Sequence, residues 1–91
     1  MTATVRVPGV LRQWTGGEKT VEVPEATVDG VFETLCERFP GLRERVLDEG
    51  GQPQRFLNVY VNGQDIRLLD GTQTSLNSGD ELIIMPSMAG G

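Results

Sequence analysis

The stretch Arg55-Phe56-Leu57-Asn58-Val59-Tyr60-Val61-Asn62-Gly63 decides how this 91-residue chain is read. Its first seven residues alternate: Leu57, Val59 and Val61 fall on one side of an extended strand, and Phe56, Asn58 and Tyr60 on the other. Asn62-Gly63 then marks a tight hairpin turn, since both residues tolerate positive φ. A short strand over residues 65–68 follows, then turns at Asp70-Gly71 and Ser78-Gly79-Asp80. The last strand spans 81–85, and Pro86, which lacks an N–H, ends its pairing.

Working back towards the amino end, strands at 3–8 and 19–23 carry Val5 and Val7, and Val21 and Val23, each pair on one face. Gly16-Gly17 makes the turn between them, so the two strands read as an antiparallel hairpin. Between this hairpin and the central strand, Val28, Val31, Phe32, Leu35 and Phe39 recur at helical spacing and predict one amphipathic helix over 28–39. Thr27 is placed as its N-cap and Asp29 suits its first turn. Gly30 weakens the helix, Pro40-Gly41 stops it, and 42–47 reads as a further helical turn. Trp14 reads as a packing residue at the edge of the core.

This order predicts an α+β domain in which one main helix covers one face of a mixed sheet. The expected core is Val5, Val7, Val21, Val23, Val31, Leu35, Leu57, Val59, Val61, Leu82 and Ile84. Phe56, Tyr60, Ile83 and Met85 are left on the uncovered face, where an apolar group is a candidate partner-docking surface. Residues 1–86 are read as the domain and 87–91 as a flexible tail.

Composition narrows the function. A net charge of −5 lacks the basic footprint that nucleic acid or an anionic membrane surface demands. No apolar run is long enough to span a bilayer, and residues 1–6 do not read as a secretory signal. The chain has no histidine and one cysteine, which excludes Ser–His and Cys–His nucleophile pairs and any internal disulfide. Cys36 lies beside the apolar stripe with no base or metal ligand to activate it, so it reads as a structural thiol. The composition fits the cytoplasm, with no bound cofactor and no catalysis of the domain's own.

What remains is the end of the sequence, Met85-Pro86-Ser87-Met88-Ala89-Gly90-Gly91. An uncharged tail avoids the desolvation cost of entering a narrow channel, and glycines at its end can thread where a side chain cannot. Met88 is soft enough to fill an apolar niche.

Gly79-Asp80-Glu81-Leu82-Ile83-Ile84-Met85-Pro86, the closing Gly90-Gly91, the segment Leu11-Arg12-Gln13-Trp14-Thr15-Gly16-Gly17 and the central hairpin together resemble the MoaD/ThiS family. These are sulfur carriers with the ubiquitin-like β-grasp fold, and the resemblance covers essentially the whole chain. The central motif and Ala89-Gly90-Gly91 are most similar to the branch that serves cysteine biosynthesis in actinobacteria.

The resemblance implies that Gly91 is adenylated at the expense of ATP. The enzyme would be of the MoeB/ThiF type, related to ubiquitin-activating enzymes. Sulfide or a persulfide then displaces AMP to leave a thiocarboxylate. It further implies a pyridoxal-phosphate cysteine synthase as acceptor and a zinc-dependent peptidase that releases the product. Carriers for molybdopterin, thiamin and specialised metabolites share the pattern. A conjugation tag and a docking module without chemistry are the other readings.

Overall fold

The computed structural model describes residues 2–86. Its main sheet has five strands in the order β2-β1-β7-β4-β5. These are β1 (Thr2–Arg6), β2 (Thr20–Pro24), β4 (Leu57–Val61), β5 (Gln64–Asp65) and β7 (Glu81–Pro86). The outer pairs are antiparallel, with Val5 opposite Val21 and Val59 opposite Ile84. The central pair, β1 and β7, is parallel, with Val5 opposite Leu82. The sheet is therefore mixed, as the sequence predicts.

Every residue of the expected core is buried. Helix α1 (Val28–Arg38) lies on that face and contributes Val28, Val31, Phe32, Leu35 and Cys36. Thr27 caps it by accepting a hydrogen bond from the Gly30 N–H at 3.2 Å. Gly30 has a packing reason to be there. A Cβ at this position would lie 3.0 Å from the Ala26 Cβ, so the helix start and the preceding segment approach through the missing side chain.

Several local expectations shift. The central strand starts at Leu57, because the Leu57 N–H donates to the Gln54 carbonyl at 3.0 Å and closes a turn containing Arg55 and Phe56. The short strand after Asn62-Gly63 is only Gln64–Asp65. Asp65 then accepts the Arg67 N–H at 2.8 Å and turns the chain into a 3-10 helix, Ile66–Leu68. The last strand includes Pro86, opposite Leu57.

Phe39 falls just past the end of α1 and is only half-buried. A second, two-stranded ladder joins β3 (Ala26–Thr27) to β6 (Ser75–Leu76) at the start of α1. Pro40–Leu42 and α2 (Arg43–Val46) supply the further helical turn, burying Leu42 and Val46. Trp14 packs at the core margin, with the Arg45 guanidinium 4.3 Å from its ring centroid.

Candidate functional site

Strand β7 connects the two parts of the candidate site. Leu82 and Ile84 face the helix and are buried, which turns Ile83 and Met85 to the uncovered face. The antiparallel register sets Tyr60 directly opposite Ile83 and Asn58 opposite Met85. Parallel pairing sets Arg6 on the other side of Ile83, and the β4–β5 hairpin sets Asp65 opposite Tyr60. One row thus crosses the sheet in the order Arg6, Ile83, Tyr60, Asp65.

Tyr60 and Ile83 are half-exposed, and Met85 is 50% exposed. Phe56, at 41%, belongs to the turn before β4 rather than to the strand, so strand pairing does not place it with this group. Three of the four expected docking residues, Tyr60, Ile83 and Met85, are therefore brought onto one face by strand pairing, and Phe56 is not among them. Gly91, Gly90, Ala89 and Met88 lie outside the described residues.

Charged and polar groups frame the apolar centre. Arg67 donates to Asp65 Oδ2 at 2.6 Å and to Asn58 Oδ1 at 3.1 Å. The guanidinium holds the Asp65 carboxyl below its ordinary pKa, first through the side-chain hydrogen bond. On the far side Arg6 lies 3.8 Å from Glu81. Alternation along the sequence puts Asn58 on the same face as Tyr60, but it does not place Arg6, Asp65 or Arg67 beside them. Alternation assigns a face, but only register reveals which side chains are neighbours across strands. A groove of about 430 Å³ runs beside β4 and is lined by Leu57, Asn58, Val59, Ile66 and Arg67, among others.

Cys36 stands apart from this face, in α1. It is buried, and loss of hydration pushes its thiol up from the ordinary value, against a smaller opposing pull from Arg43. A thiol held in its neutral form is a poor nucleophile. Among the described residues no group of three or more His, Cys, Asp or Glu side chains is arranged to hold a metal ion. No helix among them is long and apolar enough to cross a membrane.

The family model for the ThiS family matches residues 5–91. The sulfur carrier protein CysO of Mycobacterium tuberculosis (strain H37Rv) is 39% identical over 93 residues, covering 100% of both chains. A chain in the crystal structure of the Amycolatopsis orientalis BexX/CysO complex superimposes with a TM-score of 0.87 at 42% identity, covering 98% of this chain and 99% of that one. Small archaeal modifier protein 3 of Haloferax volcanii is 36% identical over 67 residues, covering 74% of this chain and 72% of the relative.

Proposed function

This chain belongs to the ThiS family and is a sulfur carrier protein resembling CysO, and from that premise we propose that its chemistry takes place at the Gly91 carboxyl group. A carboxylate is a poor electrophile, because its charge repels nucleophiles and oxide is a very poor leaving group. Transfer of AMP from ATP by an adenylating enzyme of the MoeB/ThiF type removes both obstacles. Sulfide or a protein persulfide then attacks the acyl carbon, AMP departs, and Gly91 becomes a thiocarboxylate. The carrier supplies the reactive atom and a handle, while its partners supply positioning and charge stabilisation.

One observation carries this reading. The strand that presents Ile83 and Met85 beside Tyr60 is the strand that leads directly into the tail. A partner gripping the apolar face is therefore set to receive the end of the chain. Phe56, Tyr60, Ile83 and Met85 form the docking group, and Met88, Ala89 and Gly90 form the thread. The likeness to CysO supports cysteine biosynthesis as the destination, with a pyridoxal-phosphate synthase as sulfur acceptor and a zinc-dependent peptidase releasing the amino acid.

Deleting Gly91 tests the role of the terminus. The truncated chain is expected to support no ATP-dependent release of pyrophosphate by the adenylating enzyme, while still competing with the intact chain for binding. A truncated chain that is activated normally contradicts the proposal. The likeness to an archaeal modifier protein favours a second reading, in which Gly91 is joined to lysines of other proteins. Dependence on sulfide separates the two.

A further inference from the structure

Strand β4 has five residues and β5 only two, so β5 covers part of the outer edge of β4 and leaves the rest. The ladder between them stops at the Tyr60–Asp65 rung. Asp65 then turns the chain into a 3-10 helix, whose Ile66 carbonyl accepts the Leu69 N–H at 2.9 Å. The turn closed by Gln54 bounds the gap at its other end. Between the two turns lies the groove of about 430 Å³, with Leu57 and Val59 on one side and Ile66 and Arg67 on the other.

The phase of the backbone decides what this edge accepts. The β4–β7 register, continued one residue, sets Asn62 opposite Glu81, and the Asn62 N–H donates to the Glu81 carbonyl at 2.9 Å. Hydrogen-bonding positions alternate along an antiparallel pair. Asn58 and Tyr60 therefore turn their backbone polar groups to β7, while Leu57, Val59 and Val61 turn theirs outward. The Leu57 N–H is taken by the Gln54 carbonyl, which rules out an antiparallel rung there. An antiparallel rung at Val59 is blocked by Ile66, which follows Asp65 on that side. The Leu57 C=O and the Val59 N–H remain, one on each side of Asn58. An acceptor and a donor spaced in this way receive one residue of a parallel strand.

The lining selects the side chains of that strand. A residue beside Asn58 in a parallel pair points to the uncovered side of the sheet, and its two neighbours point to the core side. There they meet Leu57, Val59 and Ile66, all buried, so both neighbours are apolar. On the uncovered side Arg67 binds Asp65 through Nε and Nη2 and Asn58 through Nη2. Asp65 is thus matched by Arg67, whereas the exposed Arg55 has no partner among the described residues. The groove keeps a surplus positive charge in a chain whose net charge is −5. An acidic central residue complements it.

We propose that the outer edge of β4 at residues 57–59 takes up an extended apolar–acidic–apolar segment of a partner protein as a short parallel strand. The segment's central N–H meets the Leu57 C=O, and its central C=O meets the Val59 N–H. This site lies beyond the apolar group of Tyr60, Ile83 and Met85, and its occupation needs no chemistry at Gly91.

The probe is an acetylated and amidated peptide, Ser-Thr-Val-Glu-Val-Thr-Ser, titrated into the isotope-labelled full chain and followed by amide NMR. The Val59 amide is expected to shift saturably and to exchange more slowly with solvent. Methylating the central peptide nitrogen should weaken binding by at least about tenfold, because it removes the donor to Leu57. Arg55→Glu should weaken binding about threefold and favour the Val-Lys-Val version of the peptide by a similar factor. A spin label at the peptide's amino end should broaden residues 52–55, and one at its carboxyl end residues 65–67. A Val59 amide that does not respond would overturn the proposal, as would shifts confined to Tyr60, Ile83 and Met85. Equal binding of the methylated peptide, or the reverse pattern of broadening, would also overturn it. Val59 shifts that appear on concentrating the chain alone would give the edge to a second copy and count against it equally.

Discussion

Asn62 and Asp80 tie the turn after β4 to the start of β7: the Asn62 Nδ2 donates to Asp80 Oδ1 at 3.1 Å. The same asparagine accepts the Glu81 N–H at 3.0 Å through Oδ1, with its backbone in the left-handed region at φ 51°. Asp80 also accepts the Asn77 N–H at 2.8 Å. That backbone bond first, and the bond from Asn62 second, hold the Asp80 carboxyl below its ordinary pKa.

The consequence is a pH dependence with a definite sign. A carboxyl whose folded-state pKa is depressed stabilises the fold fully above its unfolded value of about 3.9, and the contribution is lost as pH falls through the folded value. Asp80→Asn should therefore melt at a lower temperature than the wild type near neutral pH, and the gap should close in that acid range. Because Asp80 is solvent-exposed, the gap should also be modest and shrink with salt. A gap that is the same at all pH values would contradict this role.

Gly30→Ala sets helix propensity against packing. Propensity alone predicts a gain of up to about 1 kcal/mol, but the new methyl group would crowd Ala26 at 3.0 Å. The expected outcome in urea unfolding is that Gly30→Ala realises none of that gain. Combining it with Ala26→Gly should show favourable coupling in a double-mutant cycle. Simple additivity of the two changes would show that the contact carries no strain.

Cys36→Ser should leave sulfur loading intact. The thiol is buried in α1, on the helix-covered side of the sheet, and its neutral form is favoured. Mass spectrometry of the loaded carrier is the check. Loss of the thiocarboxylate with an unchanged circular dichroism spectrum would place Cys36 in the sulfur path.

Tyr60→Ala and Met85→Asp should weaken docking without unfolding the domain, since both side chains lie on the uncovered face. Each is expected to raise the KM of the adenylating enzyme for the carrier about tenfold, equivalent to ~1.4 kcal/mol of lost contact, with kcat little changed. An unchanged KM would move the interface elsewhere.

Much of the fold is legible in the sequence because its strands alternate cleanly. Val5, Val21, Val59 and Ile84 each reveal their face by local spacing, and all four are buried. What spacing cannot convey is lateral order. That Ile83 has Arg6 on one side and Tyr60 on the other depends on β7 inserting between β1 and β4, a long-range pairing. The β3–β6 ladder is missed for a related reason. Each of its strands has two residues, too few to show a period.

Phe56 reads as strand because alternation extends to it, but the Gln54 carbonyl captures the Leu57 N–H and the chain turns first. The partial site at Tyr60, Ile83 and Met85 follows from pattern alone. The bonds from Arg67 to Asp65 and Asn58 do not, because they come from a 3-10 turn replacing a predicted strand.

The central claim is that Gly91 carries sulfur, and intact-mass measurement tests it most directly. The chain is incubated with ATP, sulfide and the adenylating enzyme from its own cells, then digested so that the change can be placed. The account predicts a mass increase equal to sulfur replacing oxygen, confined to Gly91 and absent when ATP is withheld. A chain that keeps its unmodified mass, although the enzyme is active on another carrier, would contradict it.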